Sequence, residues 1–329
     1  MISYEFRTNM EEKKNRISLD NKKIWVVGHN GMVGNSILKK LVKYKSNILV
    51  TEKKDLDLRC QEKVLKWMKR KKPEVIFLAA AKVGGIAANM AFPRDFLYDN
   101  VMISFNIINS AKIINVNKLI YLGSSCIYPK NVKQPFVEDS LLKGELESSN
   151  QWYSLAKIVG IKLCEAFRIQ DNCNFISVMP TNLYGPMDKF DDINGHVPAA
   201  LLNRFHLAKI NDLPKVTVWG SGTPLREFLY VDDLADACIF LAKNYNSSQL
   251  INVGSGHEIS IKKFANLIKE IVGYNGKIIF DTSKPDGMKR KILNSEKIKR
   301  IGWKPKISLK KGLKLFYKWY LDNQNILRK

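Results

Sequence analysis

Three glycines spaced three residues apart, in the segment GHNGMVG at residues 28–34, constrain the fold of this chain more than any other feature. The segment at residues 23–28, which is apolar from Ile24 to Val27, predicts a buried strand, and residues 32–45 predict a helix. Glycines in such a turn permit a tight bend, close approach of a pyrophosphate to backbone N–H groups, and close packing of helix on strand. Alone, the triplet could be a plain structural turn. With a strand before it, a helix after it and a second strand about 20 residues on, it predicts a dinucleotide-binding site.

Apolar strands alternate with helical patterns through the first half of the chain. Beyond the first pair, strands are predicted at residues 47–51, 74–79, 118–123 and 174–179, and helices at residues 61–71, 92–115 and 153–171. This alternation is typical of a parallel sheet that is covered by helices on both faces. We therefore predict an α/β fold: a doubly wound parallel Rossmann sheet with a smaller mixed α/β substrate-binding domain.

The pattern changes after residue 180, where Pro and Gly become frequent and the predicted strands become short. Residues 226–231 and 250–253 are predicted to return to the main sheet, and helices are predicted at residues 199–208, 259–273 and 308–321. Two domains suit a chain of 329 residues. We expect a ligand in the cleft between them. The expected segments are an N-terminal extension at 1–21, a Rossmann domain at 22–183 plus about 226–254, and a substrate-binding domain at 184–225 and 255–329.

The formal net charge of +23 is spread along the chain rather than concentrated in a stripe with interleaved aromatic residues. A nucleic-acid binder would concentrate it. We therefore predict a solvated basic surface, which helps to attract polyanionic small molecules, and no nucleic-acid partner.

Cysteine usage and hydropathy predict the compartment. The five cysteines are odd in number and scattered, with no Cys-x-x-Cys pair, so neither a disulfide framework nor a metal site is predicted. No apolar run reaches the roughly 18 residues that a membrane span needs, and residues 1–23 lack the apolar core of a signal peptide. We expect a cytoplasmic protein without a membrane partner.

Tyr153 and Lys157 stand four residues apart in a predicted helix, so their side chains lie on one face, a turn apart. A phenol is a weak acid with a pKa near about 10, and a neighbouring cation favours the phenolate. This spacing arises often by chance. Together with the glycine-rich turn and the Ser pair at residues 124–125, it predicts a hydride-transfer site.

The end of the second predicted strand bears on the choice of dinucleotide. NAD sites place an acid there for the ribose hydroxyls, whereas NADP sites place cations for the 2′-phosphate. Glu52 is followed here by Lys53 and Lys54, so the signal is mixed. The two cations favour NADP(H) as cofactor, although both lysines could simply face solvent.

Six longer segments, which run in order from about residue 22 to the end, make the chain similar to a known family. They lie at residues 28–34, 79–86, 123–129, 179–186, 219–228 and 284–287. With them the chain resembles the extended short-chain dehydrogenase/reductases, and among these the epimerase/reductases of GDP-linked 4-keto sugars. The resemblance implies an NADP(H)-dependent enzyme, a GDP-linked 4-keto sugar as substrate, and a homodimer formed through the helices predicted at residues 92–115 and 153–171.

The resemblance also implies catalytic roles. Ser124 and Tyr153 would hydrogen-bond the C4 oxygen of the substrate, and Lys157 would hold the nicotinamide ribose and lower the pKa of Tyr153. Cys126 and His196 would be the base and the acid of an epimerisation at C3 and C5. A thiol needs only a modest push from a positive neighbour to act as a base. Read alone, Cys126 could be a packed residue and His196 a loop histidine without a role.

Binding residues follow from the same resemblance. The implied cofactor contacts come from Gly28, Asn30, Gly31, Met32, Val33, Gly34, Lys53, Lys54, Leu58, Ala80, Leu122, Tyr153, Lys157, Pro180, Asn182, Leu183 and His196. The implied substrate contacts come from Ser125, Asn182, Arg204, Trp219, Arg226, Asp286 and Lys291. Arginine suits bidentate contact with a diphosphate, although Arg204 could instead form a surface salt bridge.

Two departures from the family pattern leave alternatives open. Asn30 stands where the bacterial pattern has an Arg that helps to hold the 2′-phosphate, and Pro198 follows His196 one place early. The resemblance implies an NADPH-dependent 3,5-epimerase/4-reductase of a GDP-4-keto-6-deoxyhexose. The alternative is a C4-ketoreductase of a related GDP-4-keto sugar, such as a heptose, with little or no epimerase activity. A catalytically silent dinucleotide-binding or nucleic-acid-binding protein is disfavoured by the set of Ser124, Tyr153 and Lys157.

Overall fold

The computed structural model describes residues 17–191, 195–284 and 286–328. Its main sheet has six strands in the order β2-β1-β3-β4-β5-β9, and every neighbouring pair is parallel. These strands are β1 (Lys23–Val27), β2 (Asn47–Leu49), β3 (Val75–Leu78), β4 (Lys118–Leu122), β5 (Phe175–Pro180) and β9 (Ile251–Val253). The predicted parallel Rossmann sheet is confirmed.

Helices cover both faces of this sheet. In chain order the helices are α1 (Met32–Leu41), α2 (Gln61–Lys71), α3 (Ile86–Ala91), α4 (Pro93–Ile113), α5 (Gln151–Asp171), α6 (Val197–Ile210), α7 (Val231–Asn244), α8 (Ile261–Val272), α9 (Glu296–Arg300) and α10 (Leu309–Asp322). Strand β1 shows the two-residue period of a buried strand. Ile24 and Val26 pack in the core with α1 and α7, whereas Trp25 and Val27 pack in the core with α2, α4 and α5.

The helix predicted at residues 92–115 is confirmed as α4, and a short helix that was not predicted, α3, precedes it. Phe92 separates these two helices with φ −128° and ψ 52°, between the end of α3 and the start of α4. The residue before a proline is driven out of the helical region, and Pro93 suits the first turn of the helix that follows.

A second group of strands lies beside the main sheet. It consists of β6 (Asn182–Tyr184), β7 (Lys215–Trp219), β8 (Leu225–Tyr230), β10 (Glu258–Ser260), β11 (Lys277–Asp281) and β12 (Arg290–Lys291). β8 pairs with β6, β10 and β12, and β7 pairs with β11. Their core is aromatic, with the rings of Phe228 and Phe264 stacked 4.3 Å apart.

The prediction that residues 226–231 return to the main sheet is wrong. Strand β8 uses its backbone hydrogen bonds on β6, β10 and β12, whereas β9 does join the main sheet beside β5, as predicted for residues 250–253. The domain boundaries remain a prediction. The N-terminal extension expected at residues 1–21 lies mostly outside the described residues.

Strand order fixes where a ligand can lie. β2 and β3 flank β1 on opposite sides, so the order of the sheet reverses there. In open α/β sheets ligands bind at such a point, in the crevice outside the carboxyl ends of the strands. The segments that leave β1 and β3, at Gly28 and at Ala80, therefore form the walls of the expected cofactor site.

Candidate active site and cofactor cleft

The glycine-rich turn is packed so closely that side chains are excluded at two of its glycines. Gly28 has φ +85°, and a Cβ on it would lie 2.8 Å from the backbone of Ala80. A Cβ on Gly34 would lie 2.2 Å from the carbonyl oxygen of Gly28. Gly31 caps helix α1, whose first backbone N–H groups, at Met32 and Val33, have no partner within the helix. The turn is therefore a cradle that fits a dinucleotide pyrophosphate.

The other predicted cofactor residues lie around the same edge of the sheet. Ala80 follows β3, Leu122 ends β4 and Pro180 ends β5. Asn182 and Leu183 begin β6, where the Asn182 amide donates to the carbonyl of Glu227 at 2.8 Å. Leu58 follows β2 and packs at the edge of the core. The structure thus brings these residues to the carboxyl ends of the parallel strands.

Glu52, just beyond β2, is attached to the glycine-rich turn. Its two carboxylate oxygens accept hydrogen bonds from the Asn30 amide nitrogen at 3.0 and 2.9 Å, and one of them lies 3.1 Å from Nε2 of His29. The bond from Asn30 is the main reason that the pKa of Glu52 is lowered. Lys53 and Lys54, which were predicted to hold a 2′-phosphate, are exposed on the turn that follows.

Helix α5 places the tyrosine and the lysine against the end of β4. The Lys157 ammonium is buried and donates to the Leu122 carbonyl at 2.8 Å, with the Tyr153 ring centroid 5.7 Å away. The Ser154 hydroxyl donates to the Cys126 carbonyl at 2.9 Å. Ser124 caps the short 3₁₀ turn Ser125–Ile127 by accepting from the Cys126 N–H at 3.4 Å. Ser124, Cys126, Tyr153 and Lys157 therefore lie together, as predicted.

The pKa values of Tyr153 and Lys157 differ from those expected from the sequence. Burial raises the pKa of Tyr153 well above its ordinary value and lowers the pKa of Lys157 to about 8. The expected lowering of the Tyr153 pKa is therefore wrong in this arrangement. Lys157 gives its hydrogen bond to the Leu122 carbonyl rather than to the phenol. Tyr153 is a neutral phenol at physiological pH and suits a proton donor.

His196 has an acidic partner that the sequence did not reveal. Its Nδ1 lies 3.0 Å from Oδ1 of Asp188, whose side chain is only 3% exposed, whereas the imidazole itself is 42% exposed. Asp188 is the main cause of a raised pKa for His196, and Arg328 and Lys291 oppose it. The two residues are eight positions apart in the sequence, and neither lies in a helix or strand that the structure describes, so no periodic pattern could have paired them.

Pro198, which follows His196 one place early, is accommodated by helix α6. His196 is the N-cap of that helix, and Pro198 occupies its first turn, where a backbone N–H has no helical partner in any case. His196 keeps its contact with Asp188, so the shifted proline does not displace the imidazole from its buried carboxylate.

Lys291 interacts electrostatically with both residues that were predicted for epimerisation, Cys126 and His196. Burial lowers its pKa, and its cation interacts electrostatically with Cys126 and with Arg226. It also acts on the His196 imidazole. Lys291 pairs in register with Arg226 across β12 and β8, which places both cations on the same side of the cleft.

The remaining predicted substrate residues surround the loop after β7. The Trp219 ring is exposed and lies 5.9 Å from both the Arg204 guanidinium and the Lys284 ammonium. The Asp286 carboxylate accepts from the backbone N–H and the hydroxyl of Ser221 at 2.7 and 2.8 Å. Ser125 is buried beneath the catalytic group. An exposed aromatic ring between cations suits a planar base next to phosphates.

Comparisons with known proteins agree with this geometry. The model of the NAD dependent epimerase/dehydratase family matches residues 24–254. A curated GDP-L-fucose synthase of Sinorhizobium fredii is 51% identical over 305 residues, which cover 93% of this chain and 97% of the relative.

Two solved structures resemble the whole fold. The GDP-6-OMe-4-keto-L-xylo-heptose reductase from C. jejuni has a TM-score of 0.89 at 36% identity, and the match covers 94% of this chain and 100% of the other. A GDP-L-fucose synthetase from Naegleria fowleri bound to NADP has a TM-score of 0.88 at 29% identity and covers 96% and 98%. Within the described residues, no helix has the length and apolar character to cross a membrane.

The buried Lys157 cation generates a testable dependence of stability on pH. Its pKa falls from an ordinary 10.5 to about 8 on folding. Between these values the unfolded chain binds more protons, so stability should rise with pH relative to a Lys157→Met variant. The full difference is on the order of 3 kcal/mol, at about 1.4 kcal/mol per pKa unit.

Urea unfolding of both proteins, followed by circular dichroism between about pH 7.5 and 10.5, measures this difference. Lys162→Met, which removes an exposed cation from the same helix, should track the wild type. If the free energy of unfolding changes with pH in the same way for the wild type and Lys157→Met, folding does not lower the pKa of Lys157.

Proposed function

The chain belongs to the NAD dependent epimerase/dehydratase family, and from that premise we propose that it is an NADPH-dependent 3,5-epimerase/4-reductase of a GDP-4-keto-6-deoxyhexose. The reaction corresponds to the conversion of GDP-4-keto-6-deoxy-D-mannose to GDP-L-fucose. The GDP-L-fucose synthase of Sinorhizobium fredii, 51% identical over almost the whole chain, supports this substrate.

One observation carries the proposal. The reductase group of Ser124, Tyr153 and Lys157 shares its cleft with a thiol and a carboxylate-bound imidazole, Cys126 and His196, and the Lys291 cation interacts with both. A plain reductase needs only a proton donor beside the carbonyl. Two further proton-transfer groups are what an epimerisation requires.

The first chemical step is removal of a proton from C3. The neighbouring C4 ketone makes this proton acidic, and its removal leaves an enolate with negative charge on the C4 oxygen. Hydroxyl donors at Ser124 and Tyr153 stabilise that charge, and the buried Lys157 cation adds to the stabilisation. These donors are already held by helix α5 and the Ser125–Ile127 turn, so little reorganisation is needed as the charge develops.

Inversion needs a base on one face of the sugar and an acid on the other. The Cys126 sulfur acts as the base that takes the C3 proton, and the Lys291 and Lys157 cations both interact with it electrostatically. The His196 imidazolium returns a proton to the opposite face of the same carbon, with its Nδ1–H held by Asp188. The two side chains then exchange their proton with solvent, and the same sequence inverts C5.

Reduction completes the reaction at C4. NADPH supplies a hydride to C4 when it is bound in the cradle formed by the glycine-rich turn. Tyr153 donates its phenolic proton to the C4 oxygen, a role that fits a phenol whose pKa is raised by burial. The Naegleria fowleri relative bound to NADP supports NADP(H) as the cofactor.

The GDP portion is assigned to the cationic end of the cleft. Burial lowers the pKa of Arg226, and its guanidinium donates only to main-chain carbonyls, those of Leu225 and Asp286, at 2.9 and 3.5 Å, among the bonds described. A diphosphate would satisfy its remaining donors. The Trp219 ring between Arg204 and Lys284 is placed to stack on guanine.

A second candidate is a C4-ketoreductase of a GDP-4-keto heptose with little or no epimerase activity. The resemblance to the C. jejuni heptose reductase, at a TM-score of 0.89, favours it. The pairing of His196 with Asp188 favours the epimerase, because a reductase alone has no use for a proton donor that is oriented in this way.

We also infer a homodimer. Exposed apolar side chains lie at helical spacing along α4 and α5, with Tyr98 and Phe105 on the first helix and Trp152, Leu155 and Val159 on the second. The two helices pack side by side, so these residues form one apolar face. A second copy of the same face across a two-fold axis would bury it.

The proposed function predicts the fate of solvent deuterium. Incubation with GDP-4-keto-6-deoxy-D-mannose in deuterated water should place deuterium at C3 and C5 without any cofactor, and added NADPH should then yield GDP-fucose. Proton NMR of the sugar measures both. Oxidation of NADPH without deuterium at C3 or C5 would establish the plain reductase instead.

Cys126→Ser sharpens this test. The hydroxyl is a much weaker base at neutral pH, so deuterium exchange should fall by about 10²- to 10⁴-fold while binding of NADPH is retained. Cys173→Ser, just beyond the C-terminal end of α5, changes the same atom outside the cleft and should exchange at the wild-type rate. Wild-type exchange in Cys126→Ser would remove the thiol from the mechanism.

Asp188→Asn tests how His196 is held. Asp188 raises the pKa of His196, so the histidine stays protonated to a higher pH. Epimerisation needs the protonated form. Its rate should therefore fall as pH rises through the pKa of His196. In Asp188→Asn the alkaline limb of the rate of deuterium exchange should move to lower pH, and the plateau rate should fall about tenfold or more. Arg328 and Lys291, the other charged groups that act on His196, are unchanged in this variant.

Two comparisons separate positioning from general loss of structure. Asp188→Glu should restore part of the pH profile, because it keeps the carboxylate. Asp191→Asn removes the same charge from the same segment, where Asp191 pairs with Lys189, and should leave the profile in place. A lowered rate with an unshifted pH profile in Asp188→Asn would show that Asp188 only supports the fold.

The homodimer predicts that charge on the α4–α5 face will separate the copies. Phe105→Glu combined with Val159→Glu should give a monomer by size-exclusion chromatography with light scattering, because paired carboxylates cannot be buried across the axis. Val42→Glu changes an exposed apolar residue elsewhere on the surface and should leave the mass unchanged. A wild-type protein of monomer mass would exclude the dimer.

A further inference from the structure

The side chain of Glu52 occupies a defined place in the cofactor cleft. Two hydrogen bonds from the Asn30 amide, at 3.0 and 2.9 Å, and a contact of 3.1 Å to Nε2 of His29 attach its carboxylate to the glycine-rich turn. The carboxylate nevertheless remains 46% exposed towards solvent. It is therefore oriented by the turn and still accessible to a ligand.

Its position is the one from which a dinucleotide site reads the adenosine ribose. Glu52 follows β2, the strand next to β1, about 20 residues beyond the glycine-rich turn, where an acidic side chain accepts from the ribose 2′-hydroxyl. The hydrogen bonds from Asn30 lower the pKa of Glu52, so its oxygens are acceptors at neutral pH. A hydroxyl can donate to such a group, whereas a 2′-phosphate is repelled by it.

The cations nearby are shared with carboxylates. Arg59 donates to Asp57 at 2.8 Å and to Asp99 at 3.1 Å. Lys53 interacts with Asp57, and Lys54 interacts with Glu52 itself. A 2′-phosphate would therefore compete with acidic side chains for each of these charges.

We propose that Glu52, held by Asn30, accepts from the adenosine ribose 2′-hydroxyl and makes this site take NADH as well as NADPH. The inference rests on the proposed function in requiring a reduced dinucleotide as hydride donor. NADPH still binds, because the exposed Glu52 side chain can turn to solvent and leave Lys53 and Lys54 to meet the phosphate. The two cofactors then differ in affinity by less than about tenfold, which is 1.4 kcal/mol or less.

The test is a binding titration of the full-length protein with NADPH and with NADH, followed by nicotinamide fluorescence in the absence of any sugar. For the wild type we expect dissociation constants within about tenfold of each other. In Glu52→Gln, NADPH should bind more tightly and NADH more weakly, so that their ratio moves towards NADPH by about tenfold or more. Glu62→Gln, an exposed acid on α2 with the same change of charge, should keep the wild-type ratio.

Two outcomes would overturn the inference: a wild type whose affinities for NADPH and NADH differ by more than about tenfold, or a Glu52→Gln variant with an unchanged ratio. Each of these outcomes can be distinguished experimentally from a failure of the proposed function. If both dinucleotides bind as expected but neither supports reduction of the GDP-4-keto sugar, the role of Glu52 stands and the assigned substrate is wrong.

Discussion

Two buried hydrogen bonds hold helix α5 against the end of strand β4, and the catalytic arrangement depends on them. One runs from the Lys157 ammonium to the Leu122 carbonyl, and the other from the Ser154 hydroxyl to the Cys126 carbonyl. Losing either would leave a buried polar group without a partner, at a cost of about 1–3 kcal/mol. Because Tyr153 directly precedes Ser154 on the same helix, these bonds also fix the phenol beside the Ser124 turn. In the proposed mechanism, this attachment would also set the position of the reacting ketone.

The cleft contains buried positive charge. Burial lowers the pKa values of Lys157, Lys291 and Arg226, which means that folding brings these cations into surroundings that disfavour charge. A globular protein gains nothing in stability from such an arrangement. A GDP-sugar with a diphosphate at one end and a developing enolate at the other would neutralise it. Because the fold holds these charges in place, they would stabilise an anionic transition state without further reorganisation.

Local patterns in the sequence were sufficient to predict the main sheet and part of the site. The glycine spacing identified the turn after β1, and helical spacing placed Tyr153 and Lys157 on one face of α5. Contacts between segments without periodicity could not be predicted in this way. Strand β8 leaves the main sheet because β6, β10 and β12 offer it partners, which no local signal reveals. The pairs of Glu52 with Asn30 and of His196 with Asp188 likewise arise only when distant or irregular segments fold together.

The proton-transfer groups proposed for epimerisation and for reduction are held by different parts of the molecule. Lys157 is held at the Leu122 carbonyl of the main sheet, and the Tyr153 ring packs edge-on against Phe96 of α4. The segment that carries Asp188 is instead anchored at Phe190, whose ring packs against α10 and whose N–H donates to the Arg328 carbonyl at 2.7 Å. A substitution near the C-terminus can therefore change the orientation of the His196 imidazole without moving Tyr153 and Lys157. On this fold, epimerisation can be lost or retuned independently of reduction, which is the physical difference between the two candidate functions.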